Sequence, residues 1–180
     1  GYAFHWSAFW QLFGKTHTHW KEAERDFLLL LRYQEDNGRI PNFISPVAKG
    51  PGLIAPPLPA IVLYHLYEFA PDKSRALEFV KNVFPSIVDF HRYLYTFRDP
   101  LDDGLPFIWH PAESGFLPQD FLASADTPKE NSLAFNWQEI LESGSKYKLE
   151  TGELYRHHSF LVQDPMFLSL LTWSNECLIK

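Results

Sequence analysis

The chain has 180 residues, a formal net charge of −6 at pH 7 and a hydrophobic content of 46%. This apolar content supports a packed core and argues against a disordered chain. Because the net charge supplies no broad positive field, nucleic acid and anionic membrane surfaces are excluded as expected partners. A small, neutral, hydroxyl-rich molecule is the ligand class that the composition favours.

Neither a membrane span nor a leader peptide is expected. No apolar run reaches the roughly 18–20 residues that cross a bilayer, and the first residues lack the basic and apolar regions of a signal peptide. Cys177 is the single cysteine, so the fold needs no disulfide and no oxidising compartment. A cytoplasmic location is favoured, and the chain is expected to be an internal piece of a longer protein.

Apolar residues recur at helical spacing in several blocks, and no long stretch alternates with period two, so an all-α fold is predicted. The first clear helix is expected over about 19–33, which has one apolar and one charged face. A loop rich in Pro and Gly follows. The next helix, about 57–69, is apolar nearly all round, which is typical of a helix that is buried on both sides.

Over residues 74–97 the apolar positions step by four and three, and Pro85 either kinks one helix or begins a second. Two helices are favoured there. Further helices are predicted over 132–141 and 165–179, the last with Asp164 as its N-cap.

Helix pairs joined alternately by tight turns and long loops are typical of an α/α toroid, in which buried inner helices are wrapped by an outer ring. Five or six helices would form about half of a twelve-helix toroid. An open α-solenoid gives a similar local pattern, but no fixed repeat supports it.

The long segment 98–131 has no helical pattern and is the candidate active-site loop. It combines many carboxylates with Trp109 and His110, and long irregular loops in compact domains are usually binding or catalytic. Glycoside cleavage needs two carboxyl groups, one as acid and one as base or nucleophile. Carboxylates beside aromatic residues are a weak signal by themselves, and the turn-forming pairs Asp99-Pro100 and Asp102-Asp103 are assigned to a well-ordered turn.

A set of motifs, in a fixed order along the chain, resembles one family of sugar-cleaving enzymes. The motifs are Trp6-Ser-Ala-Phe9, Gln34-Glu-Asp-Asn-Gly-Arg-Ile-Pro41, Arg98-Asp-Pro100 with Asp103-Gly-Leu105, His110-Pro-Ala-Glu-Ser-Gly115, and Asp164-Pro-Met-Phe167. They are similar to the inverting α/α-toroid glycosidases related to trehalase and processing α-glucosidase I, in particular the bacterial mannosylglycerate and glucosylglycerate hydrolases. The resemblance implies that residues 1–180 are a partial catalytic toroid domain acting on a small glucoside or mannoside.

The same resemblance implies the residues of a sugar pocket. Four positions in the matching motifs are expected to bind the substrate: Trp6, Trp109, Glu113 and Gly115. No cofactor is implied, and the expected partner is a small carbohydrate.

The resemblance also implies where the general acid lies. In the family an Asp-Asn-Ser motif carries the acid soon after Glu-Ser-Gly, whereas here Glu130-Asn-Ser stands in its place after an apparent insertion at 116–129. Glu130 is therefore predicted as the acid, Asp120 is the second candidate, and a chain with no working acid is the remaining alternative. The family's general base is expected beyond Lys180.

Three positions depart from the family pattern. Ser7 replaces an aspartate, Ala55 replaces a glutamine that binds sugar, and Ala112 replaces a tryptophan that would line the pocket. Each change removes a hydrogen bond or a stacking surface. A second hypothesis therefore stays open, namely a non-catalytic carbohydrate-binding or structural helical module derived from the same fold.

Two other patterns in the sequence could suggest a site. His17-x-His19 and His157-His158 lack the spacing of a metal-binding pair on one helical face, so no metal site is predicted. Cys177 lies among apolar residues and is expected to be a small buried hydrophobic residue and not a nucleophile.

Overall fold

The structure is a computed structural model that describes residues 3–44, 52–109, 111–115 and 161–180. The helices in these ranges are α1 (His5–Lys15), α2 (Trp20–Leu31), α3 (Pro59–Glu68), α4 (Lys73–Phe97) and α5 (Pro165–Ile179). A short 3-10 helix covers Pro111–Ser114, and the two-residue strands β1 (Ala3–Phe4) and β2 (Phe43–Ile44) pair antiparallel. The helix predicted at 132–141 lies outside the described residues.

Helix α3 is the centre of the packing, as its apolar sequence predicts. It contacts α1, α2, α4 and α5, and Ile61, Val62 and Leu66 are almost completely removed from solvent. The indole N–H of Trp20 in α2 donates to the Leu66 carbonyl over 2.6 Å. The prediction of a helix buried on both sides is confirmed.

Helix α4 is a single helix of 25 residues with Pro85 inside it, so the prediction of two helices was wrong. Pro85 lies on the exposed side of the helix. Because proline has no N–H group, the carbonyl four residues earlier lacks its helical hydrogen bond, and water can reach that carbonyl here. The buried face continues in register on both sides of the proline, through Val83 and Ile87. Packing of this continuous face against the core outweighs the local cost of proline within a helix.

Helix α1 was not predicted, because aromatic residues occupy several of its faces and hide the amphipathic pattern. Its buried positions are His5, Phe9 and Leu12, spaced by four and three, and Phe9 meets Phe27 of α2 edge to face with the ring centroids 6.0 Å apart. Trp6, on the other side of the helix, is only half-buried.

Helix α5 begins as the sequence predicts. The Asp164 carboxylate accepts a hydrogen bond from the backbone N–H of Phe167 at 2.7 Å, and Pro165 occupies the first turn. Further along the buried face of α5, Ser174 forms a buried hydrogen bond of 2.9 Å with His91 of α4. Cys177 is buried, as expected for a packing residue, and burial raises the pKa of its thiol.

The chain on either side of the undescribed range 116–160 is joined by a small clasp. Ile108 and Val162 form an antiparallel bridge with N–H to O distances of 2.9 and 3.0 Å. The Gln163 side-chain amide donates to Asp103 at 3.0 Å and to the Leu105 carbonyl at 3.0 Å. The start of α5 is therefore held against the loop that follows α4.

No helix within the described ranges combines the length and the apolar character that crossing a membrane requires.

Candidate active site

The carboxylate of Glu113 is the centre of a buried polar cluster, which we call the Glu113 junction: Glu113, Arg98, Trp109, Asn42 and the backbone of 52–54. Glu113 has no exposed surface. Its Oε1 accepts from the Ile54 backbone N–H and from Arg98 Nη2, both at 2.8 Å. Its Oε2 accepts from the Trp109 backbone N–H at 2.8 Å and from Arg98 Nη1 at 3.2 Å. Four donors thus compensate the loss of water that a buried carboxylate suffers.

Arg98 completes the junction with three kinds of contact. Its Nη2 also donates to the Gly52 carbonyl at 3.1 Å, and its guanidinium carbon lies 3.6 Å from the centroid of the Trp109 ring. Burial by itself lowers the pKa of Arg98, but the charge and hydrogen bonds of Glu113, together with Tyr93, outweigh burial and raise the pKa above the ordinary arginine value. The guanidinium therefore stays charged, and it fixes both the carboxylate and the indole.

Asn42 ties the junction to the rest of the fold, and sequence reasoning gave it no role. Its side-chain amide donates to the Ala112 carbonyl at 2.8 Å and to the Ile54 carbonyl at 3.2 Å. Its own carbonyl accepts from the His5 backbone N–H at the start of α1, at 2.7 Å. The available signal was its position directly after Ile40-Pro41, at the end of one of the matching motifs.

Gly115 brings the candidate loop into contact with α1. Its φ of +90° lies in the region that favours glycine, and a Cβ at this position would lie 2.5 Å from atoms of the Trp6 indole. A side chain is therefore excluded by both conformation and space. The first motif of the chain and the Glu-Ser-Gly motif, more than a hundred positions apart, meet at this contact.

The aspartates of the loop form a turn, as predicted. The Asp99 carboxylate accepts from the backbone N–H groups of Asp103 at 3.2 Å and Gly104 at 2.7 Å, while Asp102 adopts a φ of +55°. The hydrogen bond from Gln163 holds the pKa of Asp103 below its usual value. These carboxylates shape the backbone and are not arranged as an acid–base pair.

The structure brings together four of the five predicted site residues. Trp109 and Glu113 lie in the junction, and Gly115 and Trp6 lie in contact beside it. Glu130 lies outside the described residues, as do Asp120, His110 and the suggested insertion at 116–129. Contact of any of these residues with a sugar stays a prediction, and for Glu113 the burial favours an indirect role.

Two of the three replaced positions, Ala55 and Ala112, are part of the packing, whereas Ser7 is exposed. Ala55 is fully buried beside Ile40 and Ile54, and Ala112 is buried beside Leu53 and Trp109. Neither methyl group offers a hydrogen bond or an aromatic surface.

In the described part of the chain, no group of three or more His, Cys, Asp or Glu side chains is placed to hold a metal ion. His157 and His158 lie outside that part.

Comparison with known proteins gives a family match over the whole chain. A family model described as the mannosylglycerate hydrolase MGH1-like glycoside hydrolase domain matches residues 1–180. A mannosylglycerate hydrolase of Thermus thermophilus is 32% identical over an alignment of 134 residues, and the match covers 63% of this chain and 32% of that protein. A mannosylglycerate hydrolase of Rubrobacter radiotolerans is 28% identical over an alignment of 145 residues, and the match covers 67% of this chain and 33% of that protein.

Solved structures match over nearly the whole chain. The GH63 mannosylglycerate hydrolase of Thermus thermophilus, in complex with Tris and D-glycerate, has a TM-score of 0.78 at 28% identity. The match covers 98% of this chain and 52% of that one. This chain thus spans about half the length of the solved structures it matches, and the prediction of a partial α/α toroid is confirmed.

Proposed function

Since this chain belongs to the mannosylglycerate hydrolase MGH1-like glycoside hydrolase family, we propose that the full-length protein is an inverting glycoside hydrolase acting on a small glucoside or mannoside. Mannosylglycerate and glucosylglycerate are the first substrates to test. The observation that carries this proposal is the contact of Gly115 with Trp6. It joins two sequence motifs of the family at one place, next to the buried junction that holds Trp109.

The pocket of this enzyme forms around that contact. Trp6 is half-buried and supplies an aromatic surface of the kind on which a sugar ring packs. The Gly115 backbone approaches the same place without a side chain, and Trp109 lies in the neighbouring Glu113 junction. These three residues are the proposed sugar contacts in the chain.

Glu130 is the proposed general acid of this reaction. It would protonate the leaving oxygen while a second carboxylate, beyond Lys180, activates a water on the opposite face of the sugar. Inversion requires room for that water, which corresponds to carboxyl groups roughly 6.5–9.5 Å apart. Residues 1–180 are then the acid-bearing part of the catalytic domain, with the active-site loop over about 98–131.

The test is hydrolysis of mannosylglycerate and glucosylglycerate by the full-length protein, followed by proton NMR. The first-formed sugar should have the anomeric configuration opposite to that of the substrate. Glu130→Gln should lower kcat by about 10²–10⁴-fold, the usual contribution of general acid catalysis. Asp120→Asn is the matched control and should retain the rate. Full activity of Glu130→Gln would remove Glu130 from the mechanism, and loss in Asp120→Asn alone would assign the acid to Asp120.

A second candidate function is a non-catalytic carbohydrate-binding or structural module. The buried methyl groups of Ala55 and Ala112 favour it, because they replace groups that would hold a sugar by hydrogen bonding and stacking. Calorimetry with glucosylglycerate separates the two candidates. Heat of binding without release of free sugar would support the module, whereas turnover would support the hydrolase.

A further inference from the structure

We propose that Arg98 and Glu113 are positioning residues of the sugar pocket, which fix the Trp109 ring and the Gly115 backbone without touching the substrate themselves. This inference rests on the proposed function, since it assigns the pocket to the contact between Gly115 and Trp6. It differs from the role that the resemblance implied for Glu113, which was direct binding of the sugar.

The first argument is that the Glu113 carboxylate has no capacity left for a sugar. A carboxylate offers about four acceptor sites, and here four N–H groups of Ile54, Trp109 and Arg98 lie 2.8–3.2 Å from its two oxygens. The side chain is also wholly buried. A hydroxyl group of a ligand could bind the Glu113 carboxylate only by displacing one of these four N–H donors.

The second argument concerns the turn that Glu113 closes. Its Oε2 accepts from the backbone N–H of Trp109, four residues earlier, so the carboxylate ties the 3-10 helix to Trp109. Gly115 follows two residues later, at the end of the 3-10 helix Pro111–Ser114. The position of this carboxylate therefore sets where the Gly115 backbone meets Trp6.

The third argument concerns the Trp109 indole. The Arg98 guanidinium covers one face of the ring at 3.6 Å from its centroid, while Leu53 and Ala112 pack beside it. This packing restrains the orientation of the ring. The planar fork of arginine can hold a carboxylate and stack on a ring at the same time, whereas the point charge of lysine cannot.

The experiment uses Arg98→Lys and Glu113→Gln in the full-length protein labelled with 5-fluorotryptophan. The Trp6, Trp20, Trp109 and Trp173 fluorine resonances are assigned from single Trp→Phe variants. Trp20 and Trp173 report on the helical core, whereas Trp109 and Trp6 report on the proposed pocket. Ser174→Ala is the matched control, since it removes a buried polar contact between α4 and α5 and does not reach the loop.

Arg98→Lys should shift the Trp109 and Trp6 resonances and leave those of Trp20 and Trp173 in place. It should also lower kcat by about 10²-fold, with a smaller change in KM, because a misplacement of about 1 Å is most costly in the transition state. Glu113→Gln should do the same, and Arg98→Lys keeps the test valid if that variant does not fold. Ser174→Ala should lower the melting temperature and keep kcat per folded molecule.

Unmoved Trp109 and Trp6 resonances in Arg98→Lys would overturn the positioning role, as would an unchanged kcat in a variant that folds. If the wild-type protein hydrolyses neither substrate, the proposed function fails by itself. The fluorine shifts then still decide whether Arg98 and Glu113 set the Trp6 contact.

Discussion

The α3-centred core and the Glu113 junction are both buried, but different forces hold them together. The core consists of apolar side chains whose attraction has no preferred direction and scales with the area removed from water. The junction consists of charged and polar groups that must meet within hydrogen-bonding distance, and an unpaired member costs several kcal/mol. The core should therefore tolerate small changes that the junction does not.

The difference follows from how each region is built. Helices α1 to α5 supply the core with side chains at helical spacing. The junction is assembled from separate loops, with hydrogen bonds that join residues 59 and 70 positions apart. If one of these loops moves, the groups on the other loops lose a hydrogen-bond partner.

The largest change in stability is expected for variants of the Glu113 junction. Glu113→Leu and Arg98→Met should each lower the free energy of unfolding by about 3–5 kcal/mol, because each leaves a buried charge without its partner. The double variant should cost at least about 1 kcal/mol less than the sum of the two, since neither charge is then left alone. Urea unfolding of all four proteins measures this cycle. Additive losses would show that the two side chains act independently.

The next largest effect is a pH dependence of stability that comes from two buried histidines. Burial lowers the pKa of His5 and of His91 from 6.5 to about 4, so the folded chain holds them neutral. As the pH falls from about 6.5 toward 4, the unfolded chain binds protons that the folded chain cannot. Stability is therefore full above pH 6.5 and should fall by about 2 kcal/mol per histidine by pH 5.

Urea unfolding at pH 7, 6 and 5 checks this expectation for the wild type and for His5→Gln and His91→Gln. Glutamine does not titrate, so each variant should lose stability less steeply over this range. Equal slopes in all three proteins would contradict the assignment of the pH dependence to these residues.

The smallest effect tests the tolerance of the core. Ile61→Val removes one methylene from a fully buried side chain of α3 and should lower the free energy of unfolding by about 0.5–1.5 kcal/mol. It should leave the fluorine resonances of Trp6 and Trp109 in place. A loss as large as that of Glu113→Leu would break the contrast between the two regions.

The sequence allowed prediction of those parts of the fold that depend on periodicity and local capping. Helices α2, α3 and α5 were predicted close to their observed bounds, and the Asp164 cap was predicted with its role. Helix α1 was missed because aromatic residues blur its pattern. The Pro85 prediction was wrong because tertiary packing decides whether a proline ends a helix.

The residues of the site were harder to predict from periodicity and capping. Gly115 and Glu113 were recognised only through the resemblance to a family, and the buried state of Glu113 could not be read from its neighbours in sequence. Asn42 has no distinctive local pattern, because its two acceptors are distant in the chain and are backbone carbonyls. Such contacts depend on how the loops come together, which periodicity does not encode.

The clasp between Ile108 and Val162 has a consequence for the evolution of this chain. It holds both ends of the intervening segment, and the entropy cost of closing a segment grows only with the logarithm of its length, by about 0.6 kcal/mol for each doubling. Residues added between these anchors, as the sequence suggests for 116–129, change that cost little. Selection can then vary the length and chemistry of this segment while the helices keep their stability.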